Sequence, residues 1–460
     1  MTAMDKDLLQ KALGNYRSHA VQDIIPAKLR RAKLRDFRKH LAGAKTELYA
    51  ALADDLHRSQ ADSLLAEIIP LTDIIRYLER NISRLAAAPL SGSPATFPAT
   101  AKIYREPYGR VLVISTWNYP LLLSLEPAMG AFAAGNRVIL KLSPRSPNTN
   151  AVMIKLLKSC FSSDEIMVIS DEMTLDEVLD FRYDYIFFTG SANTGRKVYL
   201  QAAENLTPCT MELGGKNPCI VAGRADLKIT ARRIAWGKFF NAGQSCVAPD
   251  HLLIQKDIKD EFLNHLSDEL RNMYGKNPLD SGFCCGLPDD EAYNRIINFI
   301  AGGRLLYGGD KNPATRVIEP TVIDRLPEDS PLFTEEIFGP VLPIKTFATE
   351  EELKVLLADL ERPLAAYCFG GSDKLKKFLR SNFSCGALVF NDVLIHFCNM
   401  NIPFGGVGKS GFGSYHGARS FLTFTHEKPV MVQSAWFDMP CRYPKFGKFF
   451  QKLLEWLYRM

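Results

Sequence analysis

Tyr185-Ile186-Phe187-Phe188, running into Thr189-Gly190-Ser191-Ala192-Asn193-Thr194-Gly195, decides the fold class. An uninterrupted apolar run ends in a loop of small residues, and a helix through Val198, Leu200 and Ala203 follows. An apolar run with no polar alternation suits a parallel strand covered on both faces. A small-residue loop between such a strand and a helix N-terminus suits a phosphate, because free N–H groups and the helix dipole point at it. A tight turn alone would look the same. The spacing is neither G-x-G-x-x-G nor a Walker A, since Arg196-Lys197 follows Gly195.

The same grammar repeats outward. Val111-Leu112-Val113-Ile114, Arg137 to Leu140 and Ile166 to Ile169 are further apolar runs with helical stretches between them. That alternation predicts a doubly wound α/β sheet. The first ninety residues read as helices: Leu34, Phe37, Leu41 and Leu48 share one face, and Leu64, Ile68, Leu71, Ile75, Leu78 and Ile82 share another. Pro89 to Pro98 reads as a linker or loop, and Ala101 to Glu106 alternates like a strand.

At 460 residues, 47% hydrophobic and 23% charged, the chain has room for two or three domains. A net charge of +5, thinly spread, implies no nucleic-acid partner. The ten cysteines show no C-x-x-C and no histidine at zinc-like spacing, so no metal site is expected. Met1 to Gln10 lacks the apolar segment of a secretory signal, and no apolar run approaches the ~18 residues of a membrane span. Free thiols in a reducing, cytoplasmic compartment are the expectation.

Three residues stand out as candidates for chemistry. Cys246 follows Ala242-Gly243-Gln244, just past an amphipathic helix predicted over Ile229 to Phe240, where a thiol can face a cleft. Taken alone it would also serve as a small buried hydrophobe. Glu212, in an apolar setting before Gly214-Gly215, reads as a strand-end residue or as a general base raised by burial. Asn118 follows directly on a strand, at the carboxyl end where α/β sheets bind ligands. There it either turns the chain before Pro120 or donates to an oxyanion, with the Cys246 N–H as second donor.

Together Trp117-Asn118-Tyr119-Pro120, Phe188-Thr189-Gly190-Ser191, Glu212-Leu213-Gly214-Gly215-Lys216, Gly243-Gln244-Ser245-Cys246, Glu335-Glu336-Ile337-Phe338-Gly339-Pro340 and Pro403-Phe404-Gly405-Gly406 resemble, in order and spacing, the aldehyde dehydrogenase superfamily. The resemblance covers roughly residues 5 to 435. Cys246-Val247-Ala248-Pro249-Asp250 and the stretch Asn391 to Phe397 are similar to the class 3 branch, which includes fatty aldehyde dehydrogenases. The resemblance implies a Rossmann-type cofactor domain over 1–209 with an arm strand near 99–106. A catalytic domain over 210–424, an oligomerisation arm over 425–442 and a C-terminal amphipathic helix over 443–460 would complete the chain.

It also implies NAD or NADP as cofactor, a homodimer, and oxidation of a medium-chain, long-chain or aromatic aldehyde through a thiohemiacetal and a thioester on Cys246. Glu212 would activate the hydrolytic water. Trp117, Lys141, Gly190, Ser191, Glu336 and Phe338 would hold the dinucleotide. One departure stands at Pro144, where many relatives carry a glutamate that favours NAD; with Arg145 beside it, use of both cofactors is expected. An acyl-thioester reductase would lack the base at Glu212, and an inactive scaffold would be expected to lose Cys246, Glu212 or Asn118. In the tail, Phe446, Phe449, Phe450, Leu453, Leu454, Leu457 and Tyr458 share a helical face. That face would dock on this or the partner subunit, cap an apolar substrate funnel, or make weak contact with a membrane surface.

Overall fold

The computed structural model describes residues 24–90, 96–169, 172–438, 443 and 447–459. The expectations for Met1 to Gln10, and for Phe446 in the tail, lie outside them.

Two largely parallel sheets carry the molecule. The first has six strands, in the order Gly411–Phe412, Cys209–Glu212, Tyr185–Thr189, Arg110–Ile114, Arg137–Lys141 and Ile166–Ile169. Only Gly411–Phe412 runs antiparallel, pairing Gly411 with Glu212. Strand 110–114 has later strands on both sides, so the winding reverses between it and 185–189. Open α/β sheets bind ligands at the carboxyl ends of strands flanking such a reversal. The segments leaving those ends are Ser115 to Tyr119 and Gly190-Ser191.

The second sheet has seven strands, with Pro218–Val221 and His251–Gln255 side by side near its centre and Ala387–Phe390 at one edge. A third, antiparallel sheet joins Ala87–Leu90, Thr100–Pro107 and Thr425–Val432. Here the structure corrects the loop expected from Pro89. Residues 87–90 pair with 101–104, and Pro89 is tolerated because it lies on the outermost strand, where no ladder N–H is required of it.

The N-terminal helices Ala27–Gly43, Lys45–Leu56 and Ile69–Leu85 bury the predicted faces: Leu34, Phe37, Leu41, Leu48, Leu71, Ile75, Leu78 and Ile82 are all fully buried. Between Gln60–Ser63 and Ile69–Leu85 the chain takes one π-helical turn, Leu64–Ile68. Pro70 in the first turn of the next helix has no N–H to give back to the preceding turn. That turn carries Glu67 on the apolar side, fully buried.

In the tail, Lys448–Tyr458 is helical and leaves Phe449, Trp456 and Tyr458 exposed. No helix among the described residues is long and apolar enough to cross a membrane.

Candidate active site

The helix Leu227–Phe239 ends just before the predicted turn, and Asn241, Ala242 and Gly243 then take three successive left-handed conformations, φ 53°, 53° and 70°. Left-handed backbone is open to glycine and awkward for Ala242. A side chain at Gly243 would also strike the carbonyl of Gly339. This reversal delivers Cys246 to the meeting point of two cavities.

One cavity, about 330 Å³, is lined by Trp117, Asn118, Gly190, Ser191, Glu212, Glu336 and Phe338 among others. The other, about 250 Å³, is walled by Tyr119, Trp236, Phe240, Leu394, Phe397 and Phe404 and is overwhelmingly apolar. Cys246 and Leu123 line both. A third cavity of about 340 Å³ adjoins the first through Trp117, Arg145, Gly190 and Ser191, and contains Lys141. Every residue predicted for the site therefore lines this set of cavities, with Cys246 at the junction.

The electrostatics follow from burial. Glu212, 2% exposed, has neither carboxylate oxygen hydrogen-bonded; burial, then the charge of Glu126, pushes its carboxyl well above the ordinary range. Burial and the neighbouring Glu336 and Glu212 push the Cys246 thiol up to about 12, partly offset by the backbone N–H groups of Cys246 and Val247 facing the sulfur. The resting cysteine is thus a thiol that needs a base. Burial and Asp250 raise the Glu336 carboxyl to about 7, while Gly215 N–H donates to it at 3.2 Å. Asn118 donates one amide hydrogen to the Gln244 carbonyl at 3.0 Å, leaving the second available.

Several supporting residues escape a reading of the sequence. Arg58 and Glu67 form a fully buried ion pair. Glu67 accepts from the N–H groups of Leu121 (2.7 Å) and Leu122 (3.0 Å), at the N-terminus of the helix Pro120–Ala134, where a carboxylate is favoured. Arg58 donates to the Asn118 carbonyl at 2.5 Å and to Asn241 Oδ1 at 2.7 Å. It ties the oxyanion candidate to the cysteine turn. The only trace in the sequence is a carboxylate at an apolar-stripe position, three residues after Leu64. Glu67→Ala is expected to strand the Arg58 charge and to cost about 3–5 kcal/mol; a urea melt showing under 1 kcal/mol would contradict this.

The segment bearing Glu336 is fastened from behind. Lys216 pairs with Asp250 and donates to the Leu332 carbonyl at 2.6 Å, and Asp250 accepts from Ile337 N–H at 2.8 Å. Arg295 donates to the Ile337 carbonyl at 2.8 Å and to that of Glu336. A side chain at Gly214 would collide with the Glu336 carboxylate, so glycine permits this approach.

A dinucleotide fits these residues. Ser191 caps the helix Ala192–Glu204, and Gly190, Ser191 and Thr194 line the third cavity at that helix's N-terminus, the end of a helix that favours a phosphate. Trp117 and Phe338 meet edge to face, 5.7 Å apart, on the wall of the first cavity. Arg145 reaches across to Asp289 at 2.8 Å. No carboxylate is among the described residues lining the third cavity.

Residues 8–430 match the aldehyde dehydrogenase family model. Among curated relatives, aldehyde dehydrogenase family 3 member H1 of Arabidopsis thaliana is 39% identical, covering 89% of this chain and 86% of that protein. The dimeric NADP-preferring aldehyde dehydrogenase of Canis lupus familiaris is 36% identical, covering 95% and 97%. Among solved structures, the substrate-bound state of Staphylococcus aureus AldH superposes with a TM-score of 0.92 at 34% identity over 98% of both chains. Motifs, cavities and relatives converge: the chain belongs to the aldehyde dehydrogenase family and is an aldehyde dehydrogenase.

Proposed function

We propose that this enzyme oxidises apolar aldehydes to carboxylic acids with NAD or NADP, using Cys246 as nucleophile, Asn118 as oxyanion donor and Glu212 as base. The observation that carries the assignment is the position of Cys246, shared by a polar cavity and an apolar one. Glu212 takes the thiol proton, and the sulfur attacks the aldehyde carbonyl to give a thiohemiacetal. The free amide hydrogen of Asn118 and the Cys246 N–H stabilise its oxyanion. When bound, the dinucleotide supplies the hydride acceptor that turns the thiohemiacetal into a thioester. Glu212, after losing the thiol proton to solvent, then deprotonates a water that hydrolyses the thioester, and returns that proton to the departing sulfur, releasing the acid and the thiol. Lys141, Gly190, Ser191, Trp117, Glu336 and Phe338 hold the cofactor. The aromatic and aliphatic walls around Trp236 and Phe397 favour medium-chain, long-chain or aromatic aldehydes over small polar ones.

A ribose-side cavity with Lys141 and Arg145, and Pro144 in place of an acid, supports acceptance of a 2′-phosphate. Efficiencies with NADP and NAD should be comparable. Arg145→Ala should lower kcat/KM for NADP about tenfold with less effect on NAD, the order of one charge-assisted hydrogen bond. Steady-state absorbance assays with a medium-chain aldehyde test this; exclusive use of NAD would refute it. Assembly as a homodimer is supported by two open strand edges, Thr425–Val432 and Ala387–Phe390, available for pairing between subunits, and by the dimeric relative from dog.

A further inference from the structure

Arg145, on the wall shared by the first and third cavities, is already engaged. Its Nη2 lies 2.8 Å from Oδ2 of Asp289, the two side chains being 45% and 33% exposed. Arg145 lines both cavities, whereas Asp289 lines the first and not the third, so the bond draws the guanidinium toward the first. Both ends of the pair are anchored. Asp289 uses its other oxygen, Oδ1, to accept from Ala292 N–H at 2.9 Å. It thereby caps the helix Asp290–Ile300, which buries Tyr293, Ile296 and Ile300. On the opposite side, Asn150 donates to the Ser143 carbonyl at 2.8 Å and Ser146 Oγ to that of Trp117 at 3.3 Å. Those bonds fix the short turn that carries Arg145.

The charged side chains among the described residues lining the third cavity are Lys141 and Arg145, both cationic. A phosphate monoester carries about −1.5 to −2 at pH 7 and accepts two parallel N–H bonds from a guanidinium. A ribose hydroxyl is neutral and does not draw the guanidinium away from a carboxylate. Arg145 is therefore contested only when the ligand brings a phosphate. An ion pair as exposed as Arg145–Asp289 is worth at most about fivefold in an equilibrium constant. A phosphate can displace it, and loses that factor in doing so.

We propose that Asp289 sets the balance between the two cofactors: by competing for Arg145 it disfavours a dinucleotide bearing a 2′-phosphate and leaves one bearing a 2′-hydroxyl unaffected. The proposal rests on the reading above, in which the third cavity takes the adenosine ribose and Arg145 meets the 2′-phosphate. Asp289 acts through Arg145 and is a positioning residue.

Titration calorimetry with adenosine 2′,5′-bisphosphate and adenosine 5′-monophosphate tests this without turnover, on wild type, Asp289→Asn, Arg145→Ala and the double variant. Asparagine removes the charge and caps a helix as well as aspartate does, so melting temperatures should agree within a few degrees. Asp289→Asn should tighten the bisphosphate about three- to fivefold and change the monophosphate by less than about 1.5-fold. With octanal, kcat/KM for NADP relative to NAD should rise by the same factor, with kcat within about twofold. In the Arg145→Ala background the substitution should add less than about 1.5-fold, because a coupling disappears once one partner is gone. An equal gain for both ligands, no gain for either, or a full gain that persists without Arg145 overturns the proposal. If Arg145→Ala leaves the bisphosphate affinity unchanged, the reading of Arg145 as the phosphate partner fails and the proposal falls with it. A clear loss in Arg145→Ala with no effect of Asp289→Asn sinks the proposal alone. Asp289→Ser, which also caps a helix, carries the same comparison should the asparagine variant fail to fold.

Discussion

Cys246→Ala is expected to eliminate aldehyde-dependent formation of reduced dinucleotide, by at least about four orders of magnitude in kcat, with NAD and with NADP alike. No other described residue lines both the polar and the apolar cavity except Leu123, which has no nucleophilic atom. Among the described residues Cys398 is the one other thiol lining the apolar cavity and belongs to none of the motifs, so Cys398→Ala serves as the control and should retain turnover. The Cys246 sulfur donates no side-chain hydrogen bond that holds the fold together, so the alanine variant should melt within a few degrees of wild type and still bind the dinucleotide. Absorbance assays beside a thermal melt decide the matter. Substantial turnover in a folded Cys246→Ala protein would move the chemistry elsewhere.

Asn118→Ala should cost about 10²–10³ in kcat, the usual loss on removing one side-chain donor from an oxyanion hole. KM for the aldehyde should change little, because the donor serves a charge that develops only after attack. Part of any loss could be structural, since Asn118 is 2% exposed and its amide supports the Gln244 carbonyl. Two comparisons separate the causes. Asn118→Asp keeps the size but offers no amide donor, so it should be as inactive as alanine. A melting temperature near that of wild type in either variant would assign the loss to catalysis. Rescue of activity by aspartate would count against the oxyanion role.

Much of this was legible in the sequence because strong local signals agreed with each other. Val111 to Ile114 and Tyr185 to Phe188 are apolar without interruption, as strands covered on both faces must be, and both lie fully inside. Cys246, Glu212 and Asn118 sit next to glycines or strand ends, where sequence punctuation is clearest. The misread stretch, Pro89-Leu90, shows the reverse: proline suggests a loop, and only the partner strand 101–104 makes an extended edge of it. What stayed hidden is long-range. Arg58 meets Asn241 across 183 residues of chain, and His416 meets Glu126 across 290, and no spacing rule links such positions. Charged residues in apolar settings, such as Glu67 and Glu126, marked that something had to pair with them without saying what.

The three left-handed residues before Cys246 have a consequence for anyone redesigning this enzyme. Gly243 fits against the carbonyl of Gly339, Gly214 against the carboxylate of Glu336, and Asp250 clasps the N–H of Ile337. The turn presenting the nucleophile and the turn presenting the cofactor carboxylate are therefore one mechanical part, assembled from segments nearly a hundred residues apart. A library that varies the two turns independently would yield few folded members, whereas one that grafts both as a matched set from a single relative would preserve the fit.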